Sequence, residues 1–170
     1  MRKTIAASVL AIAALLAWAP GAGACPGAKM PAGGESADQA KQAIACLIND
    51  MRVRRHLHGV RGNVPLGIAA QEHSDAMNAE DFFAHDGDGT LLSRTTGAGF
   101  RGRSVGEVLA FGAGSIGSPK AMFRAWLHSP EHRAILLMHR WRRIGVGVSF
   151  GSPVGPDAPG EATYTADLGT

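Results

Sequence analysis

The stretch that restricts this chain most is residues 144–150, IGVGVSF. Branched residues alternate with glycine, and an alternation of period two is that of a β-strand. Gly145 and Gly147 are small enough to let a neighbouring element come close to the strand. A Gly- and Pro-rich turn, 151–161, leads to a second strand, 162–168, so the chain ends in an antiparallel hairpin.

Everything upstream reads mainly as helix. Residues 37–56 place Ile44, Leu47, Ile48 and Met51 on one face, with Lys41, Asp50, Arg52 and Arg54 on the other. Gly59 and Gly62 end that helix, and Asn63-Val64-Pro65 opens a second, over 66–80, with Leu66, Ala70, His73 and Met77 in one stripe. Phe82 and Phe83 follow it as buried anchors. Residues 86–106 are glycine-rich and read as a loop with short extended pieces, and 107–111 as a short strand or helix. Ser118-Pro119 and Ser129-Pro130-Glu131 each give an N-cap followed by proline at the first helical position, opening helices to about 127 and 138. Helices first and a hairpin last, with no βαβ repeat and no phosphate-binding glycine motif, is an α+β pattern. The layers expected are helix, small antiparallel sheet, helix.

The first 24 residues stand outside that domain. Arg2 and Lys3 precede an apolar run, Thr4 to Trp18, then Pro20-Gly21 and the small residues Ala22-Gly23-Ala24. This is the pattern of a cleaved secretory signal peptide. Its apolar run, about 15 residues, is short against the roughly 20 of a membrane span. Residues 25–36, rich in Gly, Pro and Ala, read as a flexible tail, and 37–170 as one domain. Export implies an oxidising compartment, so Cys25 and Cys46, the two cysteines, are expected to form a disulfide; a lipidated Cys25 or two thiols are the alternatives. The whole chain carries a net charge of +3, and without Arg2 and Lys3 the 15 basic and 14 acidic side chains leave +1. Bulk charge therefore gives no case for nucleic acid. The one local cluster is Arg140, Arg142 and Arg143.

Of the seven histidines, His56 and His58 lie at an Arg-rich helix end, His139 in the basic cluster, and His128 beside a cap. His73 is expected to be a hydrogen-bonded core residue. His85 and His132 remain, with Glu107 and Glu131 as carboxylates.

Four segments in order, FFAH (82–85), VGEVLA (105–110), AWLHSPEHRAILL (125–137) and IGVGV (144–148), resemble the CAP superfamily of cysteine-rich secretory, venom-antigen and pathogenesis-related proteins, in its bacterial secreted branch. The resemblance runs from about residue 43 to the C-terminus. It implies an α-β-α sandwich and a cleft with two histidines and two acids. His85, after two aromatics, matches the first histidine; Glu107 matches the acid of the Gly-Glu-Asn motif; His132, thirteen positions before Gly145, matches the second histidine. Three positions depart: Val108 stands for Asn, Ser129 for the second acid, and Ile135 for an Asn common in the bacterial branch. Glu131 is the nearest carboxylate to the missing acid.

Two imidazoles and a carboxylate match the ligand set of an open zinc site whose bound water could act as a nucleophile, so a metal-dependent peptidase or esterase using His85, Glu107 and His132 is one expectation. No HExxH helix and no G-x-S-x-G elbow are present. The other expectation, which the resemblance favours, is a secreted, monomeric, non-enzymatic module that binds a small molecule, a lipid, or a cell-envelope or host component, with zinc or another divalent ion held weakly by His85 and His132 if at all.

Overall fold

The computed structural model describes residues 25–155 and 159–170; the expected signal peptide lies outside the described residues. The elements in order are α1 (Ala37–Arg54), β1 (Arg61–Gly62), α2 (Val64–Ala79), α3 (Leu91–Gly97), β2 (Val105–Ala113), a 3-10 turn (Gly114–Gly117), α4 (Pro119–His128), α5 (Pro130–Leu136), β3 (Arg143–Phe150) and β4 (Glu161–Gly169).

The α+β fold expected from the sequence is present, as a sheet of order β1-β3-β4-β2 between helices. β3 and β4 form the antiparallel hairpin, with Gly145 opposite Asp167 and Val148 opposite Tyr164. β2 adds to the other side of β4, also antiparallel, with Glu107 opposite Asp167. The sheet is not wholly antiparallel: two residues, Arg61 and Gly62, pair parallel with Arg143 and Ile144. Residues 107–111, open between strand and helix in sequence, belong to β2.

Alternation along the strands divides the structure into layers. Val146 and Val148 of β3, Tyr164, Ala166 and Leu168 of β4 and Val108 of β2 join Ile44 and Ile48 of α1 and Phe123 and Trp126 of α4 in one apolar core. The opposite face meets α2. There Gly145 and Gly147 lie against α2 backbone at Leu66–Gly67 and Ala70–Gln71, where a β-carbon would overlap main-chain atoms. With no side chains between them, polar groups of α2 reach the sheet directly. The Ser74 hydroxyl donates to Thr165 Oγ1 at 2.8 Å. The Gln71 amide donates to Val148 O and accepts from Val148 N.

Two expectations change. Residues 25–36 are not an extended tail: they wind through turns, bury Ala28 and Ala32, and Ala32 N donates to Gly114 O at 3.0 Å. The Cys25–Cys46 disulfide, with Cα atoms 5.7 Å apart, fastens this segment to α1. The glycine-rich loop contains α3, opened by Thr90, whose side chain accepts from Ser93 N. A seven-residue helix carries too little periodicity to stand out among glycines.

Gly147→Ala is expected to lower stability by about 1–3 kcal/mol, the usual range for forced overpacking. Gly67→Ala, where a β-carbon meets nothing within 4 Å, should raise it by about 0.5–1 kcal/mol by restricting the unfolded chain. Urea unfolding of both variants checks this, and equal effects would contradict the packing described. A thiol assay on the unreduced protein should find no free cysteine, and reduction should cost about 3 kcal/mol for a loop of this length; two free thiols would contradict the bridge.

Candidate functional site

Glu107 sits on β2, an edge strand, and points to the α2 side of the sheet. Its side chain is 1% exposed. A buried carboxylate needs partners, because desolvation penalises its charge. Oε1 is held by His85 Nδ1 at 2.7 Å, and Oε2 accepts from Arg94 Nη2 at 2.6 Å. The Arg94 Nη1 donates to Asp88 Oδ1 at 3.0 Å and to the carbonyls of His85 and Gly89. Asp88 in turn pairs with His73 Nδ1 at 2.7 Å, and His73 Nε2 stands 3.8 Å from Glu107 Oε2. Five side chains from α2, the 84–90 turn, α3 and β2 thus close one network.

Opposite Glu107 lies Asp167 on β4. It is fully buried, and neither of its carboxylate oxygens has a hydrogen-bond partner among the described residues. Burial, then the charge of Glu107, pushes its carboxyl well above the usual carboxylate range. A protonated Asp167 can stand beside an ionised Glu107 where a second carboxylate would repel it. For Glu107 itself burial acts upward, but the hydrogen bond from His85 and the nearby Arg94 and His73 outweigh it and hold the carboxyl below the usual range.

The sequence-selected residues are distributed unevenly. His85 and Glu107 meet directly. His132, in the first turn of α5, is partly buried and near enough to His85 to feel its charge, but its ring hydrogen bonds neither His85 nor Glu107. Glu131 is fully exposed and takes its proton donor from Ser129, whose hydroxyl is 2.9 Å from Oε2. Ser129 also caps α5 by accepting from His132 N. The position where the resemblance implies a second acid therefore serves as a helix cap, and Glu131 turns toward that cap. His73 is the hydrogen-bonded core residue expected, fully buried. Phe82 is half-buried and tilted against His73 at 6.0 Å between centroids. Phe83, expected to be buried, is 39% exposed and meets Phe111, 38% exposed, edge-on at 4.9 Å.

Asp88, Arg94 and Asp167 were missed. No spacing rule connects them, since each reaches Glu107 from a different segment. The one local signal was the charged residues Asp86, Asp88 and Arg94 in a glycine- and threonine-rich segment.

The arrangement does not fit a divalent ion. Among the described residues no three His, Cys, Asp or Glu side chains gather as metal ligands do. Both Glu107 oxygens are already engaged, by His85 and Arg94. What remains available is the outer face of His85, 57% exposed, fixed through Nδ1. If Nδ1 carries the proton to Glu107, an unprotonated Nε2 accepts; once His85 is protonated, Nε2 donates as well.

The hydrogen bond to Glu107 raises the His85 imidazole above its ordinary 6.5, whereas burial and then the charge of His85 lower His132 below 6.5. Since the folded value of His85 is the raised one, its protonation supports the fold fully below 6.5 and that support fades as the pH climbs through the raised value. An NMR titration should give His85 a midpoint above and His132 one below 6.5, and Glu107→Gln should bring the His85 midpoint down. Coincident midpoints in the unmodified protein would contradict this geometry.

Comparison with known proteins agrees with the fold. The family described as the cysteine-rich secretory protein family, CAP, matches residues 46–155. An extracellular protein containing an SCP domain, from Bacillus anthracis, has a structure matching at a TM-score of 0.62 and 26% identity over 79% of this chain and 44% of that one. An outer surface protein from Borrelia burgdorferi matches at 0.69 over 80% of this chain and 96% of its own, with 18% identity, a likeness of fold. The uncharacterized membrane protein YlbC of Bacillus subtilis is 29% identical over 110 residues, 64% of this chain but 31% of YlbC. The chain thus spans under a third of that relative's length. With more than half its residues matched in sequence and the layered fold in place, the chain belongs to the cysteine-rich secretory protein (CAP) family.

Proposed function

We propose that this CAP domain is a secreted binding module, and that its ligand is an amphipathic small molecule or lipid held in the cleft of His85, Glu107 and His132. The observation that carries the reading is the state of Glu107: both oxygens are committed to His85 and Arg94, so the carboxylate aims an imidazole rather than serving as a free base. His85 is left facing outward to receive a polar group. Along the same face of β2, four residues on, Phe111 meets Phe83 as an exposed aromatic pair. Four residues of strand span about 13 Å, enough to separate a polar head at His85 from an apolar portion on the two rings. His132 borders the polar end. Glu131, fully exposed, contributes through its charge on His132.

Secretion is supported by the Cys25–Cys46 bridge, a feature of oxidising compartments, and by the extracellular relative from Bacillus anthracis. Among the described residues no helix is long and apolar enough to cross a membrane.

Calorimetry of the delipidated protein with a fatty acid such as palmitate is the test. Binding is expected, weakened about tenfold by either His85→Ala or the Phe83→Ala/Phe111→Ala pair, roughly the loss of one charge-assisted hydrogen bond or one buried aromatic contact. Unchanged affinity in both variants, or no binding by the unmodified protein, would remove the reading. A zinc titration should show the same heat for the unmodified protein and for His85→Ala/His132→Ala; histidine-dependent heat would instead favour the metal-hydrolase alternative.

A further inference from the structure

At the opposite edge of the sheet from His85, the chain gathers positive charge that no acid among the described residues pairs with. The short strand β1 pairs parallel with the start of β3, in a register that sets Arg61 beside Arg143. Neighbouring strands are about 5 Å apart, and like charges directly opposite one another destabilise a sheet. Arg142 adds a third guanidinium, and its Nη1 is fixed by the carbonyls of His139 and Trp141 at 2.6 and 2.9 Å. These three arginines and His58 line a pocket of about 600 Å³ beside the end of α1, and no acid lines it. Among the described residues none of the three makes an ion pair, although Arg54 and Arg94 do.

Behind the pocket lies a fourth cation. Arg52 is fully buried, and its guanidinium donates only to carbonyls: His58 at 2.9 Å, Leu136 at 2.6 Å and Met138 at 3.1 Å. Among the described residues no carboxylate joins them. Burial, then the neighbouring Arg142, holds its guanidinium below the ordinary value. Hydrogen bonds tie the walls together. Asn49 of α1 exchanges two hydrogen bonds with the Val60 backbone, at 3.0 and 2.7 Å, and Arg61 N donates to Arg142 O at 3.0 Å.

A chain that is nearly balanced without Arg2 and Lys3, with 15 basic and 14 acidic side chains, yet concentrates four arginines at one point gives up stability there, and an anion in the pocket would recover it. The pocket volume lies within the roughly 300–1,000 Å³ of small-ligand sites. A carboxylate would answer one guanidinium; a phosphate, with more charge and three or more acceptor oxygens, can bridge two of these planar forks. We propose that the pocket of Arg61, Arg142, Arg143 and His58 is a second binding site of this protein, for a phosphate group carried by a soluble ester or a lipid head.

Calorimetry with inorganic pyrophosphate is the direct test. The unmodified protein should bind it, less tightly as salt rises. Arg61→Ala/Arg143→Ala should weaken binding at least tenfold. Arg61→Lys/Arg143→Lys, which keeps the charge while losing the planar forks, should weaken it several-fold and guards against simple misfolding of the first variant. Arg101→Ala, an exposed arginine outside the pocket, should change nothing. Absence of binding, full binding by both double variants, or an equal loss in Arg101→Ala would overturn the proposal. Sedimentation with phosphatidylglycerol vesicles distinguishes the sources. Co-sedimentation that pyrophosphate reverses and the double alanine variant lacks supports a lipid head; pyrophosphate binding without co-sedimentation supports a soluble ester.

Discussion

The Glu107 carboxylate is the constraint on which the hydrogen-bond network of the site depends. A carboxylate taken out of water costs several kcal/mol unless it is met by charge and hydrogen bonds. Here Arg94 and His85 meet it, from a seven-residue helix and from the turn before it. Neither segment has much apolar surface to hold it in place. The buried charge therefore orders them: Arg94 reaches inward past Asp88 and carries the 85–89 turn with it, and Asp88 locks onto His73 of α2. The glycine-rich run between α2 and β2 is organised around a charge rather than around a core.

That network is possible because the two faces of the sheet are built differently. The face toward α1 and α4 is apolar and closely filled. The face toward α2 is stripped to glycine on β3 and polar on β4, with Thr163, Thr165 and Asp167 all buried there. Close backbone approach at Gly145 and Gly147 draws α2 down until His73 and Ser74 lie against the sheet. Burial pushes both Glu107 and Asp167 upward; hydrogen bonds and charge from His85 and Arg94 outweigh it at Glu107, whereas at Asp167 the charge of Glu107 adds to it and Arg94 offsets only part.

Features that repeat with a local period were readable in the sequence. The IGVGVSF alternation announced both the strand and its close neighbour, and the Ser-Pro starts announced α4 and α5, where Ser118 and Ser129 do cap. His85 and Glu107 were found because the family resemblance aligns them, and they do meet. The parallel pairing of Arg61 with Arg143 was not readable, since two residues carry no period. Nor were Asp88, Arg94 and Asp167, whose roles exist only once three segments converge. The exposure of Phe83 has a similar origin: its partner, Phe111, lies on a strand at the edge of the sheet and is itself exposed. The segment 25–36, rich in Gly, Pro and Ala, has no period that announces packing, yet it buries its own Ala28 and Ala32 and is fastened to α1 by the disulfide.

The most direct measurement is a double-mutant cycle between Arg94 and Glu107, using Arg94→Met, Glu107→Gln and both together, followed by urea unfolding. Each single change takes one partner from a buried ion pair, leaving Glu107 to His85 alone or Arg94 to Asp88 alone, and is expected to cost up to about 3–5 kcal/mol. Removing both relieves that charge, so the double variant should be more stable than the sum of the two losses implies, with a coupling of at least about 1.5 kcal/mol. Additive losses would contradict a network held together by the Glu107 carboxylate.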